Sequence, residues 1–257
     1  MALPAGWILP EWPVPPGVLA VCSTRAGGVS HAPYGSLNLG DHVGDDPGAV
    51  STNRSRFASA LCAKPVFMKQ VHGTQVLDLA RGSVDGVEAD GCFADQPGLV
   101  CTIMVADCLP ILFAAADGRA VAAAHAGWRG LAGQGGRGIV ESVWERFQFA
   151  SGSPAPRTLV WLGPCIGPAA FEVGPDVKAA FEATDPESAV LFKPQADGKW
   201  LADLPGLARR RLQSLGLSRI YGNDGSRAWC TVSNPSRFFS HRRDRVSGRF
   251  AASAWLA

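Results

Sequence analysis

The chain has 257 residues, 47% of them apolar and 18% charged, with a formal net charge of +2. That length buries a full core as one large domain or two small ones, and the apolar-to-charged balance excludes a disordered chain. A charge this close to zero leaves no electrostatic footprint for nucleic acid or an anionic membrane, and no apolar run approaches the ~20 residues that span a bilayer.

The first segment, MALPAGWILPEWPVPPG, is broken by prolines and precedes any Lys or Arg, the first of which is Arg25. A secretory signal needs a basic start and an unbroken apolar stretch. Residues 1–20 therefore read as an N-terminal extension or edge segment of one domain covering 1–257. Leu99–Ala106 is a continuous apolar run between Pro97-Gly98 and Asp107, as expected of a strand buried on both faces. Residues 111–115 and 120–124, joined across Asp117-Gly118, predict a hairpin. A helix is expected within Gly130–Phe149, where Ile139, Val140, Val143, Trp144 and Phe147 share a stripe. Thr158–Leu162 predicts a short buried strand. Pro175–Ala183 and Leu204–Leu215 predict amphipathic helices, and Arg219–Tyr221 and Phe250–Leu256 further strands. Strands and helices mix without regular βαβ spacing, and neither GxGxxG nor GxxxxGK[ST] occurs, so an α+β layered domain is expected rather than a nucleotide-binding sheet.

Seven cysteines are an odd number without framework spacing. Cys62, Cys92 and Cys101 sit among apolar neighbours and read as small core hydrophobes, which suits a reducing, cytoplasmic setting. The basic residues comprise 19 Arg and 5 Lys. Guanidinium forks suit phosphate and carboxylate ligands, so the placement of single arginines matters more than their total.

Three short segments pair a ligand-type residue with a strand end: Gln70-Val-His72-Gly, Ala106-Asp-Cys108-Leu-Pro and His125-Ala-Gly-Trp-Arg-Gly130. Closing the predicted hairpin brings Cys108 and His125 together. Two imidazoles and a thiolate form a three-ligand zinc set with a fourth position open to water, whose pKa falls from about 15.7 to about 7 when bound. The same residues also admit a Cys108/His125 nucleophilic pair, with Asp107 or another carboxylate orienting the imidazole. A type 1 copper centre is a third use, with Met104 the one methionine near Cys108 in sequence. A trinuclear copper cluster is not available, because it would need more imidazoles than the five histidines present.

QVHG, ADCLPILF, HAGWRG, GPCIG with FEVG, and FFSHRRD with GR resemble, in order, the signature blocks of the YfiH/laccase-domain family. That family also goes by multi-copper polyphenol oxidase, purine nucleoside phosphorylase and peptidoglycan editing factor. The likeness runs from Thr24-Arg-Ala-Gly-Gly-Val-Ser30, through Leu37-Asn-Leu and His42-Val-Gly-Asp-Asp46, to the last strand. It implies a single-domain, layered α/β/β/α sandwich with zinc held by His72, Cys108 and His125, copper being the less favoured ion. It further implies phosphorolysis of adenosine, inosine or S-methyl-5'-thioadenosine, with adenosine deamination as a second activity. A cysteine-type amidase that edits peptidoglycan precursors and a copper-dependent polyphenol oxidase are the alternatives.

Deamination needs a carboxylate to carry the proton, and Asp107 and Glu172 are the candidates. Phosphorolysis needs an anion site. Arg25 beside Gly27-Gly28, Arg129 at the start of a helix, and Arg242 within His241-Arg-Arg243 are candidates for it. Asn38 and His42 fall in family blocks where they would shape the pocket. His31 reads as a solvated loop residue, Trp128 as a pocket wall or core anchor, and Cys165 as a thiol packed beneath the pocket. The expected partners are a purine nucleoside and phosphate, with no nucleic acid or membrane, and a monomer suffices.

Overall fold

A computed structural model describes residues 4–257, so the first three residues of the extension expected over 1–20 lie outside it. In chain order the elements are β1 (Val18–Cys22), α1 (Pro47–Leu61), β2 (Lys64–Val66), β3 (Val76–Asp78), β4 (Gly91–Ala94), β5 (Leu99–Val105), β6 (Leu109–Ala115) and β7 (Val121–Ala126). Then come α2 (Trp128–Ala132), α3 (Ile139–Ser151), β8 (Thr158–Leu162), β9 (Glu172–Val173), α4 (Pro175–Glu182), β10 (Phe192–Pro194) and β11 (Trp200–Ala202). The chain closes with α5 (Leu204–Ser214), β12 (Arg219–Gly222), α6 (His241–Asp244) and β13 (Phe250–Leu256).

Two mixed sheets carry the fold. One has the order β1-β13-β5-β2 and the other β12-β8-β6-β7-β4-β3, with β10-β11-β9 as a small third sheet. Period-two alternation explains how they stack. On β6, Leu112 and Ala114 join Cys101, Ile103, Val105, Trp161 and Phe250 in the core between the sheets. Leu109, Ile111 and Phe113 point the other way, onto a core shared with Ile139, Val143 and Phe147 of α3 and Leu207 and Leu212 of α5. On the outer face of the four-stranded sheet, Val100, Met104 and Trp255 pack against Phe57 and Leu61 of α1. The layers are therefore helix, sheet, sheet, helix, the expected α/β/β/α sandwich.

Alanines and a glycine let the helix layer approach closely. A Cβ on Gly91 of β4 would lie 2.4 Å from Val143 Cγ2, well inside any carbon–carbon contact. The hairpin forms as expected, with Ile111 opposite Ala124 and Leu109 opposite Ala126. β5, the first of the buried strands foreseen, pairs with both β13 and β2.

Several boundaries differ from expectation. The helix sought within Gly130–Phe149 is two helices, because Gly133, Gly135, Gly136 and Gly138 interrupt it. Gly133 turns with φ +64 against the Arg137 carbonyl, and α3 starts anew with Glu141 Oε2 accepting from Gly138 N at 2.7 Å. Cys92 and Cys101 are buried as expected, but Cys62 is exposed. It ends α1 in the left-handed conformation, φ 52, so its side chain turns away from the core.

Candidate metal centre and its cleft

His125 is the penultimate residue of β7 and shares the parity of Val121 and Ala123, the face between the two sheets. Cys108 immediately precedes β6, whose first residue, Leu109, pairs with Ala126. The hairpin thus delivers the thiol and the imidazole to one corner. His72 arrives from the loop after β2. That loop is fixed by Gln70, whose side chain donates to Met104 O and accepts from Met104 N, both at 2.8 Å.

Asp90, just before β4, locks this corner together. Its carboxylate accepts from the backbone N–H groups of Val71 (3.1 Å), His72 (2.9 Å) and Gly73 (2.7 Å). It also meets His125 Nδ1 at 2.8 Å, while its carbonyl accepts from His125 N at 2.7 Å. One buried carboxylate therefore sets the path of the His72 loop and the ring orientation of His125, leaving Nε2 of His125 for a ligand. His72 takes a left-handed backbone, φ 62, that the Asp90 bonds hold in place.

The donor atoms of His72, Cys108 and His125 lie within 4.8 Å of one another. Cys108 Sγ and His72 Nε2 are 3.6 Å apart, and the two imidazole rings stand edge-to-face with centroids 4.8 Å apart. Donors around a tetrahedral zinc with bonds of about 2.0–2.3 Å are separated by roughly 3.3–3.8 Å, so a small contraction accommodates the ion. Space is reserved for this arrangement at Gly127. A Cβ there would sit 2.8 Å from His72 Cδ2 and 2.9 Å from Cys108 Sγ.

Charge agrees with the donor set. Burial works against the Cys108 thiolate, but the His125 and His72 imidazoles outweigh it and bring the thiol down to about 6. Burial likewise works against a charged His125, yet the Cys108 thiolate and Asp90 raise it to about 9. The thiolate is the state that a soft divalent ion requires, whereas His125 must give up a proton to offer its nitrogen.

The triad forms the floor of a cleft of about 360 Å³, within the ~300–1,000 Å³ usual for small-molecule sites. Met104, Trp128, Ile166, Phe171 and Leu204 supply apolar walls, and His42, His241, Arg242, Arg245 and Arg249 the polar ones. Met104 therefore shares the cleft with Cys108.

The other residues singled out from sequence distribute unevenly. Asp107 lines the cleft, but its carboxylate is occupied by Thr231 Oγ1 (2.6 Å) and Arg242 N (2.7 Å). It braces the start of α6, and the carboxylate that orients His125 is Asp90, which sequence reading missed. Glu172 is exposed on β9 and does not line the cleft; its carbonyl accepts from Arg242 Nη1 at 2.9 Å. Arg25 is spent on the Gly35 and Pro235 carbonyls, each at 2.9 Å, and stacks on Phe239. Arg129 is exposed, stacked 4.4 Å over Trp128, and faces a neighbouring groove with Gln134 and Arg137. Asn38 is fully buried behind the cleft. His42 and Arg242 line it, and burial lowers His42 below the ordinary imidazole value. Cys165 is buried outside the cleft lining, accepts from Asn223 Nδ2 at 3.4 Å, and burial pushes its thiol up. His31 is exposed.

Fold and site together define a layered α+β protein with a His/Cys/His centre at the floor of a small-molecule cleft. The family model described as multi-copper polyphenol oxidoreductase laccase matches residues 19–257, and the chain belongs to this family. A purine nucleoside phosphorylase of Pseudomonas aeruginosa is 46% identical over 251 residues, covering 97% of this chain and 98% of that protein. Purine nucleoside phosphorylase YfiH of Escherichia coli is 47% identical over the same shares. Among solved structures, YlmD of Geobacillus stearothermophilus superposes with TM-score 0.90 at 33% identity, covering 100% of this chain and 98% of that one. A Neisseria meningitidis protein gives TM-score 0.88 at 42% identity over 98% and 99% of the two chains.

Proposed function

We propose that the chain is a metal-dependent purine nucleoside phosphorylase acting on adenosine, inosine or S-methyl-5'-thioadenosine. The observation that carries this reading is the meeting of His72, Cys108 and His125 at the floor of the cleft, in a chain 46–47% identical to relatives of that name. Two nitrogen donors and one thiolate would hold zinc, with copper the less favoured ion. Zinc held there supplies a Lewis acid to the cleft floor.

In phosphorolysis the bond between ribose C1′ and the base nitrogen breaks, and a phosphate oxygen bonds to C1′. The base departs with the electron pair and gains a proton, leaving ribose 1-phosphate. The chain's own part is to hold and desolvate the reactants. Trp128, Ile166 and Phe171 offer flat apolar surface to a purine, and the arginine-bearing wall offers positive charge to phosphate. Deamination at the same site is the weaker of the two activities. It calls for a free carboxylate near the ring, whereas Asp90 and Asp107 are bonded to protein donors and Glu172 lies outside.

A second reading rests on the charge state of Cys108 and His125. A thiol at about 6 beside an imidazole at about 9 is a nucleophilic pair suited to a cysteine amidase acting on peptidoglycan precursors. Metal analysis of the purified protein, followed by adenosine turnover with and without phosphate, separates the readings. One zinc per chain and phosphate-dependent release of adenine support the phosphorylase. Inosine formed without phosphate supports deamination, and metal-free protein inert toward nucleosides supports the amidase.

A further inference from the structure

Three arginines line the cleft, and among the described residues the only carboxylate in its lining, Asp107, is already engaged by Thr231 and the Arg242 backbone. Against the Cys108 thiolate and one engaged carboxylate, three guanidinium groups leave an excess of positive charge in the cleft, which invites an anion. The three are not equivalent. Arg242 gives Nη1 to the carbonyls of Ala170 (3.5 Å) and Glu172 (2.9 Å) and lies over Phe171. Arg245 is exposed, on a left-handed residue (φ 62).

Arg249 is anchored on one side only. Its Nη1 donates to Ser247 O at 2.8 Å and Gly248 O at 3.0 Å. Among the described residues Nε and Nη2 have no protein acceptor, and these two form the edge of a guanidinium that grips an oxyanion with two parallel bonds. Burial lowers Arg249 from its ordinary value while Cys108 and Asp107 partly offset this, as expected of a cation set close to the triad.

Asn38 explains how Arg249 is held. Its Oδ1 accepts from Arg249 N (2.8 Å) and Gly40 N (2.9 Å), and its Nδ2 donates to Asp45 Oδ2 (2.9 Å) and Gly40 O (3.1 Å). This buried amide ties the last strand's approach to the 38–40 turn. The Arg249 stem then lies over Gly40, where a Cβ would come within 2.8 Å of Arg249 Cγ.

We propose that the phosphate co-substrate is bound by the Nε/Nη2 edge of Arg249, with Asn38 as the residue that positions that arginine. The assignment rests on the phosphorylase reading for the role of the anion, but the anion site itself can be tested without turnover.

The test compares wild type, R249Q, R249K, N38A and R129Q as metal-loaded enzymes, each checked for a wild-type thermal transition. Steady-state kinetics give KM for phosphate and for nucleoside separately, and calorimetry gives Kd for inorganic phosphate alone. Loss of two charge-assisted hydrogen bonds is expected to raise phosphate KM and Kd about 10–100-fold in R249Q, with nucleoside KM moving less than about twofold. R249K, which keeps the charge but not the fork, falls between. N38A shifts phosphate KM in the same direction by a smaller factor, a split between the two KM values that a general loss of structure would not produce. Wild-type phosphate Kd in R249Q overturns the proposal, as does phosphate loss confined to R129Q or a wild-type enzyme that binds no phosphate. If phosphate binds through Arg249 but no nucleoside is cleaved, the phosphorylase reading falls and the anion site stands.

Discussion

The floor of the cleft and its cationic wall are built by different means. The floor is set by strand ends: β6 and β7 deliver Cys108 and His125, and the Asp90 carboxylate before β4 fastens the His72 loop and the His125 ring together. The wall comes from a four-residue helix, α6, and the loop to β13, held by backbone carbonyls and one buried amide. Geometry fixed to about half an ångström is easiest to maintain on packed strands, whereas a freely diffusing oxyanion can turn to meet a guanidinium fork and so tolerates a looser mount. Substitutions on the floor should therefore damage metal affinity, and substitutions on the wall should alter one substrate constant at a time.

The largest effect is expected at the triad. C108S and H125A should each abolish stoichiometric zinc and lower kcat/KM by about 1,000-fold or more, since two donors cannot hold the ion in a fixed geometry. Metal content and turnover measured on the same sample check this, and full activity without bound metal would break the contrast between floor and wall. D90N comes next. It retains the size of the side chain but offers one acceptor oxygen where the carboxylate offers two, among three backbone N–H groups and a ring N–H. Metal affinity should fall about 10–100-fold, with about 1–3 kcal/mol of folding stability lost to unsatisfied buried groups, read by competition with a chelator and by denaturant unfolding.

Metal uptake should also carry a proton signature. With Cys108 at about 6 and His125 at about 9, the metal-free pair between pH 7 and 9 is already a thiolate but still holds the imidazolium proton. Binding must expel that proton, so affinity should rise about tenfold per pH unit through this window and level off above 9. Calorimetry in buffers of different ionisation enthalpy counts the proton. Release of none, or of two, would show that the charges on the floor are not arranged as the Asp90–His125–Cys108 chain requires.

The same contrast decides what was legible in the sequence. QVHG, ADCLP and HAGWRG stand beside apolar strand runs, and a hairpin is a local rule, so the meeting of Cys108 with His125 follows from pairing alone. Asp90 gave no such signal. It sits in an unremarkable Ala-Asp-Gly, and its four bonds connect segments up to 35 residues away. Arg249 stood in the GR block, but its role was hidden for a similar reason, since its partner Asn38 is 211 residues distant. Conversely, Arg25 and Arg129 looked like anion ligands because a Gly-Gly turn and a helix start lay next to them. Tertiary contacts spend the first on two carbonyls and stack the second outside the cleft. The glycine-rich stretch 133–138 was also visible, but a continuous apolar stripe beyond it obscured the break between α2 and α3.

The smallest effect concerns two residues that share one backbone state. His72 and Cys62 both have left-handed dihedrals, φ 62 and φ 52, each costing a side-chain-bearing residue about 1–2 kcal/mol. At His72 that strain is held by the Asp90 carboxylate and places a metal donor, so no other residue can serve there. At Cys62 the backbone N–H ends α1, and the exposed side chain reaches only the Ser59 carbonyl at 3.6 Å. Glycine removes the strain but adds about 0.5–1 kcal/mol of backbone entropy to the unfolded chain. C62G should therefore stabilise the fold by roughly 0.5 kcal/mol, measured as a small rise in denaturation midpoint at unchanged slope, with metal content and activity as in wild type. H72G should lose the metal altogether. A destabilised C62G would mean that the thiol contributes packing that its exposed position does not show.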